Sequence, residues 1–161
     1  MASQILVALR RSDRVEEMVA YVEKVAQPGG RVVFLVPYPV DLWLYIGDHW
    51  VEVESAREAI LAGRRLGSRY SWHVQKALAE QKIAPAQEVL ARKGVEVAVD
   101  LYTGSLKRVL KDYEASGEIY LVIIRALGGR LLANLLQRIA FPFSLSRLPS
   151  SLVLLLNANN P

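Results

Sequence analysis

The chain has 161 residues, of which 52% are hydrophobic, and this fits one globular domain with a sizeable core. Its formal net charge is +4, but no run of Lys and Arg exceeds two residues, so we do not expect a nucleic-acid surface. The absence of cysteine excludes disulfides and cysteine-ligated metal. No apolar run approaches the ~20 residues of a membrane span, and the N-terminus does not have the order of a secretory signal. These features predict a cytoplasmic protein.

The first part of the chain predicts a βαβ unit. Gln4 to Leu9 (QILVAL) has the continuous apolar pattern of a buried strand, and residues 10–13 follow as its turn. A helix is then indicated by apolar residues that recur on one face: Val15, Met18, Val19, Val22, Val25 and Ala26. We expect Ser12 or Asp13 to cap this helix and residues 31–36 to form the second strand.

The stretch from residue 40 to residue 54 is predicted to be an irregular loop. It is unusually aromatic, with Trp43, Tyr45 and Trp50 close together. Two interpretations are open. In the first, the loop is a partner-binding flap. In the second, which we favour, its aromatic side chains pack down onto the following helix.

One long helix is predicted from Ser55 to about Ile83. Its expected inner stripe contains Ala56, Ala59, Ile60, Gly63, Leu66, Gly67, Tyr70, Val74, Ala77 and Leu78. Glycine lowers helix propensity, so we attribute Gly63 and Gly67 to close packing. Pro85 is expected to break or kink the helix, because proline lacks the backbone donor.

The last part of the chain predicts two further strand–helix units. Val95 to Leu101 is the expected third strand, and a Thr-Gly-Ser turn leads into a helix with the inner face Leu106, Val109, Leu110 and Tyr113. Ile119 begins the fourth strand. Gly128-Gly129 opens a helix marked by leucines, and the apolar run Leu152–Leu156 is the fifth strand.

These elements and several short motifs resemble the universal stress protein family over nearly the whole chain. ILVALRRSD stands where the family has its first strand and a turn similar to Asp-Gly-Ser-Glu, and Arg147-Leu148-Pro149 precedes the last strand. The resemblance implies one α/β domain over residues 1–161. Its parallel five-stranded sheet has the order 3-2-1-4-5 with helices on both faces, an adenine nucleotide alpha hydrolase-like, Rossmann-like fold.

The apolar last strand also predicts a homodimer. The family's strand order places this strand at the sheet edge, where an uncharged apolar run invites pairing with a second chain. Members of the family commonly dimerise there, and we expect the interface at Leu152, Val153, Leu154 and Leu155.

The nucleotide-binding members of the family carry Gly-x2-Gly-x9-Gly-Ser/Thr after the fourth strand and an acidic residue after the first. The glycines let backbone N–H groups approach phosphates, and the carboxylate accepts hydrogen bonds from the nucleoside. In this chain the four requirements fall on Arg125, Gly128, the pair Arg138-Ile139, and Arg10. Only the second is met. We therefore expect the loss of family-type ATP binding, and no other cofactor.

Arg10 and Arg125 end the two strands that flank the reversal of strand order, where ligands bind in such sheets. One interpretation is a site for a nucleotide or another anion, with further donors from the adjoining turns: Arg11, Ser12, Gly128, Gly129 and Arg130. The other is that the arginines pair with Asp13, Asp100 or solvent and that the crevice is empty. We favour the second.

Catalysis finds little support in the sequence. His49 and His73 have no acidic partner at a useful spacing, and no HExxH, GxSxG, Walker-type motif or metal-binding carboxylate pair is present. We therefore expect a non-enzymatic, homodimeric stress-response protein that acts through interactions and holds no metal. The alternative is a sensor for a nucleotide or another anion at the crevice between the first and fourth strands.

Overall fold

A parallel sheet organises the computed structural model, which describes residues 4–11, 13–50, 52–116, 119–126 and 152–157. The strands are β1 (Gln4–Ala8), β2 (Arg31–Pro37), β3 (Glu96–Tyr102), β4 (Ile119–Ala126) and β5 (Leu152–Asn157). The helices are α1 (Val15–Val25), α2 (Leu42–His49), α3 (Ala56–Arg69), α4 (Trp72–Ala91) and α5 (Leu106–Ser116). All neighbouring strands run parallel in the order β3-β2-β1-β4-β5, which confirms the predicted α/β class and strand order.

The sheet is covered on both faces, which is why its strands are almost continuously apolar. On one face, Ile5, Val7 and Phe34 pack against α1 and α4. On the other face, Leu6 and Leu35 belong to a smaller core that includes the inner side of α5. Because successive strand residues point to opposite faces, each central strand contributes to both cores.

The helix α1 forms as predicted, but its predicted cap is wrong for Asp13. The N-cap is Arg14, which makes no side-chain capping bond, whereas Asp13 turns back and accepts a hydrogen bond from the amide of Arg10 at 2.8 Å. Ser12 lies outside the described residues. The helix ends before a turn in which Gly29 has φ of 79°, a conformation that favours glycine.

The aromatic stretch is not an irregular loop, because it contains α2. Asp41 caps this helix by accepting a hydrogen bond from the amide of Leu44 at 2.9 Å. The sequence pattern did not indicate α2, and neither α2 nor the following α3 contains a buried residue. The apolar residues of α2 therefore do not form the inward-facing stripe by which helices are usually recognised.

The predicted single long helix is in fact two helices, α3 and α4, which are separated at Tyr70 and Ser71. Ser71 caps α4 by accepting a hydrogen bond from the amide of Val74. A Cβ added to Gly63 or Gly67 would meet nothing within 4 Å, so close packing does not explain these glycines.

The predicted inner stripe is confirmed only at Tyr70, which is buried, and in part at Leu66 and Val74, which are half-buried; its other members are exposed. Pro85 does not end α4. The buried side of α4 consists of Gln75, Ala79, Ile83, Ala86 and Leu90. Pro85 is exposed, whereas Ile83 and Ala86 on either side of it are buried and stabilise the helix through their packing. Their burial outweighs the roughly 3 kcal/mol that an internal proline costs.

The unit of β3 and α5 matches its prediction. Gly104 has φ of 71° in the turn that precedes α5. Leu106, Val109, Leu110 and Tyr113 pack on the sheet, as expected from their spacing. The predicted leucine-marked helix after Gly128-Gly129 lies outside the described residues, as does the segment that contains Arg138, Ile139 and residues 147–149.

Candidate functional site

The fold brings the ends of β1 and β4 together at one edge of the sheet. Ala8 pairs with Ile124, so Arg10 and Arg125 follow closely on two neighbouring strands. This is the point at which the strand order reverses, where ligands bind in open parallel sheets. The side chain of Arg125 lies outside the described part of the structure, as do Ser12, Gly128, Gly129 and Arg130.

Arg11 is held by the protein itself. Its guanidinium donates to the carbonyl of Pro39 at 2.6 Å and to the carbonyl of Tyr38 at 3.0 Å. These carbonyls lie directly after β2, so the side chain ties the turn after β1 to the turn after β2. Two of its donors are thereby committed to backbone rather than directed at a ligand.

A carboxylate does stand at this edge, at Asp13 rather than at position 10. The side chain is buried, and its Oδ2 accepts a hydrogen bond from the Arg10 amide at 2.8 Å. The amide of Asp13 in turn donates to the carbonyl of Arg10 at 3.2 Å. The short acidic side chain thus stabilises a tight turn, as Asp commonly does. The Arg-Arg-Ser-Asp order carries this signal, although the same residues also fit a helix cap.

Tyr102 is a residue of this site that the sequence did not indicate. Its hydroxyl donates to the carbonyl of Leu9 at 3.0 Å, across from β3 to the end of β1. Burial raises the pKa of Tyr102, and the nearby Arg11 and Arg10 act in the opposite direction. The phenol therefore lies within electrostatic reach of both arginines. The only sequence signal was its position at the end of β3, just before the Thr-Gly turn.

The predicted internal pairing of Arg10 is not found among the described residues. Their ion pairs join Arg31 to Glu96, Arg69 to Asp48 and Lys93 to Glu23, at 3.5, 2.9 and 3.0 Å. Asp100, which was one predicted partner, accepts a hydrogen bond from the hydroxyl of Tyr113 at 2.6 Å. Arg10 is half-buried, and none of the ion pairs among the described residues includes it.

A polar cavity of about 290 Å³ lies beside the beginnings of β1 and β2. It is lined by Gln4 and Arg31, which begin β1 and β2, together with Lys76, Asp100 and Tyr113. Burial, followed by the hydrogen bond to Asp100, raises the pKa of Tyr113. Arg31 is paired with Glu96, and Asp100 accepts a hydrogen bond from Tyr113, whereas Lys76 takes part in none of the ion pairs among the described residues.

The aromatic side chains of residues 40–54 divide into a packed set and an exposed set. Tyr45 packs edge-on against Tyr70 with ring centroids 4.8 Å apart, and Tyr70 donates to Asp48 at 2.5 Å. In contrast, Trp43 and Trp50 are 81% and 84% exposed. One side of α2 is therefore fixed to the body of the protein, while both tryptophans face solvent.

Tyr70 supplies a pH-dependent contribution to folding. Burial, followed by the hydrogen bond to Asp48, raises the pKa of Tyr70 from 10.0 to about 12. A raised pKa in the folded state means that stability is fully present below pH 10 and is lost as the pH rises toward 12. We expect Tyr70→Phe to flatten this loss in unfolding measurements. An unchanged pH profile would contradict the assignment, and Tyr21→Phe, at an exposed tyrosine, is the control.

The described residues contain no cluster of His, Asp or Glu placed to hold a metal ion. Within the same ranges, no helix is both long and apolar enough to cross a bilayer.

Comparisons with known proteins find the fold in solved structures. No protein-family model and no curated protein matches this sequence. The hypothetical protein MJ0577 is similar over 100% of this chain and 99% of its own, with a TM-score of 0.52 and 13% identity. Weaker similarities are to the hypothetical protein PH0823 (TM-score 0.47, 14% identity, all of both chains) and to a universal stress protein family member from Burkholderia pseudomallei (TM-score 0.42, 16% identity, 94% and 95% covered). At such identities the similarity to MJ0577 shows a shared fold.

Proposed function

We propose that this chain is a divergent universal stress protein that works as a cytoplasmic homodimer through interactions, without catalysis and without the family's mode of ATP binding. Two observations support family membership. The sequence resembles the family in ILVALRRSD and in the turns after its strands, and the sheet has the strand order that this resemblance implies. A shared fold does not determine function, so the proposed loss of ATP binding rests on the chemistry of the crevice.

The observation that carries the proposal is the pair of arginines after β1. Arg10 occupies the position of the family's acidic residue, and a guanidinium has donors but no acceptor for the hydroxyl groups of a nucleoside. Arg11 is bound to the carbonyls of Tyr38 and Pro39. The one nearby carboxylate among the described residues of this turn, Asp13, is buried and engaged with the amide of Arg10. The edge that should accept hydrogen bonds from a nucleoside thus presents donors.

A second candidate function is an anion sensor, and the position of Arg10 favours it. Arg10 is half-buried and makes no ion pair with the described residues, and Arg125 lies near the end of the neighbouring strand. Two arginines at the ends of neighbouring strands favour the binding of an anion between them. Phosphate or the phosphates of a nucleotide would suit this geometry, because arginine binds such groups with paired donors.

One experiment separates these functions. The protein is purified without added ligand and denatured, and the supernatant is examined by ultraviolet absorbance and mass spectrometry. We expect no stoichiometric nucleotide, and no change in Tm with ATP or inorganic phosphate. A bound adenine nucleotide would contradict the proposed loss of ATP binding.

Variants then test the sensor. If phosphate raises Tm, Arg10→Ala should abolish the increase. Arg14→Ala is the matched control, because Arg14 is exposed and lies just after the same turn. An increase that survives in Arg10→Ala would reject the proposed anion site.

The proposed homodimer uses β5, which has β4 as its one neighbour among the described strands. An edge strand with an apolar, uncharged sequence leaves backbone donors and acceptors available for a second chain. We expect Val153→Asp to abolish pairing through β5 and so to lower the mass of the complex in light-scattering measurements, because each chain would bring a carboxylate into an apolar contact. Gln87→Asp, which adds the same charge at an exposed position on α4, is the control. An unchanged mass for Val153→Asp would exclude this interface.

A further inference from the structure

Seven of the ten large hydrophobic residues that are exposed in the described chain lie in the segment of α2 and α3 (residues 42–69). No residue of either helix is buried. Large exposed hydrophobic side chains concentrate here: Trp43, Leu44, Ile46, Trp50, Val53, Ile60 and Leu61. Exposed apolar residues scattered singly need no explanation, but seven within one short segment of the chain call for one. We call the exposed surface of this segment the α2–α3 surface.

The helix α2 has its apolar side outward. Trp43, Ile46 and Trp50 are spaced by three and four residues, so they share one face, and all three are exposed. The opposite side is tied down by Tyr45 against Tyr70 and by Asp48, which binds Arg69 at 2.9 Å. The indoles are therefore presented on a fixed helix. Tryptophan in such a position is a typical anchor of a protein interface.

The outer side of α3 is apolar and basic. Ala62 and Leu66 are half-buried and so mark its inner side. Helical spacing places Ile60, Leu61, Arg57 and Arg64 on the opposite side. Ile60 is 60% exposed and Leu61 45% exposed. None of the ion pairs among the described residues includes Arg57 or Arg64.

Charge is segregated along this surface. Residues 38–56 contain four acidic residues and no Lys or Arg, whereas residues 57–79 contain five Lys or Arg and one acidic residue, Glu58. Asp41 caps α2 and Asp48 binds Arg69, which leaves Glu52 and Glu54 exposed beside Trp50. The surface thus has an acidic half that bears the tryptophans and a basic half that bears Ile60 and Leu61.

This charge pattern decides between the partners that an apolar surface could take. An anionic membrane would attract α3 but would repel the acidic stretch in which both tryptophans lie. An acidic peptide would match α3 and leave Glu52 and Glu54 without a counter-charge. A second copy of this chain carries both halves. Its basic α3 would face the acidic α2 half of the first copy, and its own acidic half would face the basic α3 of the first copy.

We propose that a second copy docks on the α2–α3 surface about a two-fold axis, with α2 of each chain packed on α3 of the other. Trp43 and Trp50 then cover Ile60 and Leu61 of the partner copy, and the acidic and basic halves face each other twice. The two indoles alone offer roughly 300 Å² per copy, a large part of the ~800 Å² that each partner buries in a standard interface. This contact is separate from β5 and does not depend on it.

Charge-reversal variants test the arrangement. The first variant combines Glu52→Lys with Glu54→Lys, and the second combines Arg57→Glu with Arg64→Glu. In each variant by itself, like charges meet at both of the equivalent contacts between α2 of one chain and α3 of the other. We therefore expect association to weaken by ~100-fold. Mixed in equal amounts, the two variants present an acidic half to a basic half at both contacts. The mixture should therefore regain the wild-type affinity in a 1:1 complex of the two variants, seen by native mass spectrometry.

The outcomes are decisive in both directions. Restored association on mixing supports the α2–α3 pairing, because a foreign partner or a membrane would not produce it. Two variants that associate as the wild type does, or a mixture that stays dissociated, would overturn it. Should the charge changes impair folding, Trp43→Ser with Trp50→Ser replaces them, since neither side chain is buried, and an unchanged mass would again reject the proposal.

Failure of the β5 dimer is recognised independently. Val153→Asp changes only that edge, so a complex that persists in Val153→Asp and disappears in Trp43→Ser with Trp50→Ser belongs to the α2–α3 surface. The reverse result would leave the β5 dimer and remove this one.

Discussion

Phe34→Ala is expected to lower the free energy of unfolding by about 3–5 kcal/mol. Phe34 is fully buried in the middle of β2, and its ring lies in the larger of the two cores, between the sheet and the helices α1 and α4. Truncation removes its apolar contacts and leaves a cavity that neighbours on a regular strand cannot close. Urea or guanidinium unfolding, with the slope compared between the two proteins, measures the effect.

Trp43→Ala is the matched control for this change. It deletes a larger ring, but Trp43 is 81% exposed, so we expect the free energy of unfolding to change by no more than about 0.5 kcal/mol. The contrast tests whether apolar side chains stabilise this fold according to their burial. A large loss in Trp43→Ala, measured at concentrations where the chain is monomeric, would show that α2 is packed into the core.

Gln75→Leu is expected to cost about 2–4 kcal/mol, although the side chain becomes more apolar. Gln75 is a buried polar residue on α4. Its Oε1 accepts a hydrogen bond from the amide of Val40 at 2.8 Å, and its Nε2 donates to the carbonyl of Arg69 at 3.2 Å. Leucine of similar size would leave both backbone groups without these partners. Thermal and denaturant unfolding should agree on the loss.

Gln81→Leu provides the comparison on the same helix. Gln81 is exposed, so the same chemical change there should alter stability by about 0.5 kcal/mol at most. Equal effects at the two positions would mean that the hydrogen bonds of Gln75 contribute nothing beyond those that water supplies. In that case the ion pair between Asp48 and Arg69 and the packing of Tyr45 on Tyr70 would connect α2 to the end of α3.

The sheet was predictable from the sequence because its signals are local. QILVAL and RVVFLV are continuous apolar runs closed by turn residues, and buried parallel strands require such runs. The region from α2 to α4 was not predictable by the same logic. Hydrophobic periodicity identifies a helix face but assumes that this face is buried, and Ile60 and Trp43 lie on faces that are exposed. The break before α4 had one local signal, Ser71 as an N-cap, which the stripe from Leu66 to Val74 obscured.

The candidate site was predictable in position but not in its bonding. Two arginines at the ends of adjacent strands follow from the strand order alone. The contact between Arg11 and the carbonyl of Pro39 joins residues 28 positions apart, and the bond from Tyr102 to Leu9 joins residues 93 positions apart. Such contacts depend on the packed geometry of three strands. No local pattern specifies them.

The place of β1 in the sheet has a consequence for synthesis on the ribosome. β1 pairs with β2 on one side and with β4 on the other, where Gln4 meets Ile119. The side of β1 that pairs with β2 can form its hydrogen bonds early. The side that pairs with β4 stays unpaired until nearly three quarters of the chain has been made. Contacts between distant parts of a sequence form slowly, and open apolar strand edges attract other chains in the meantime. The vulnerable edge of the nascent protein is therefore the one that becomes the centre of the finished sheet, and a chaperone that protects it would act before β4 emerges.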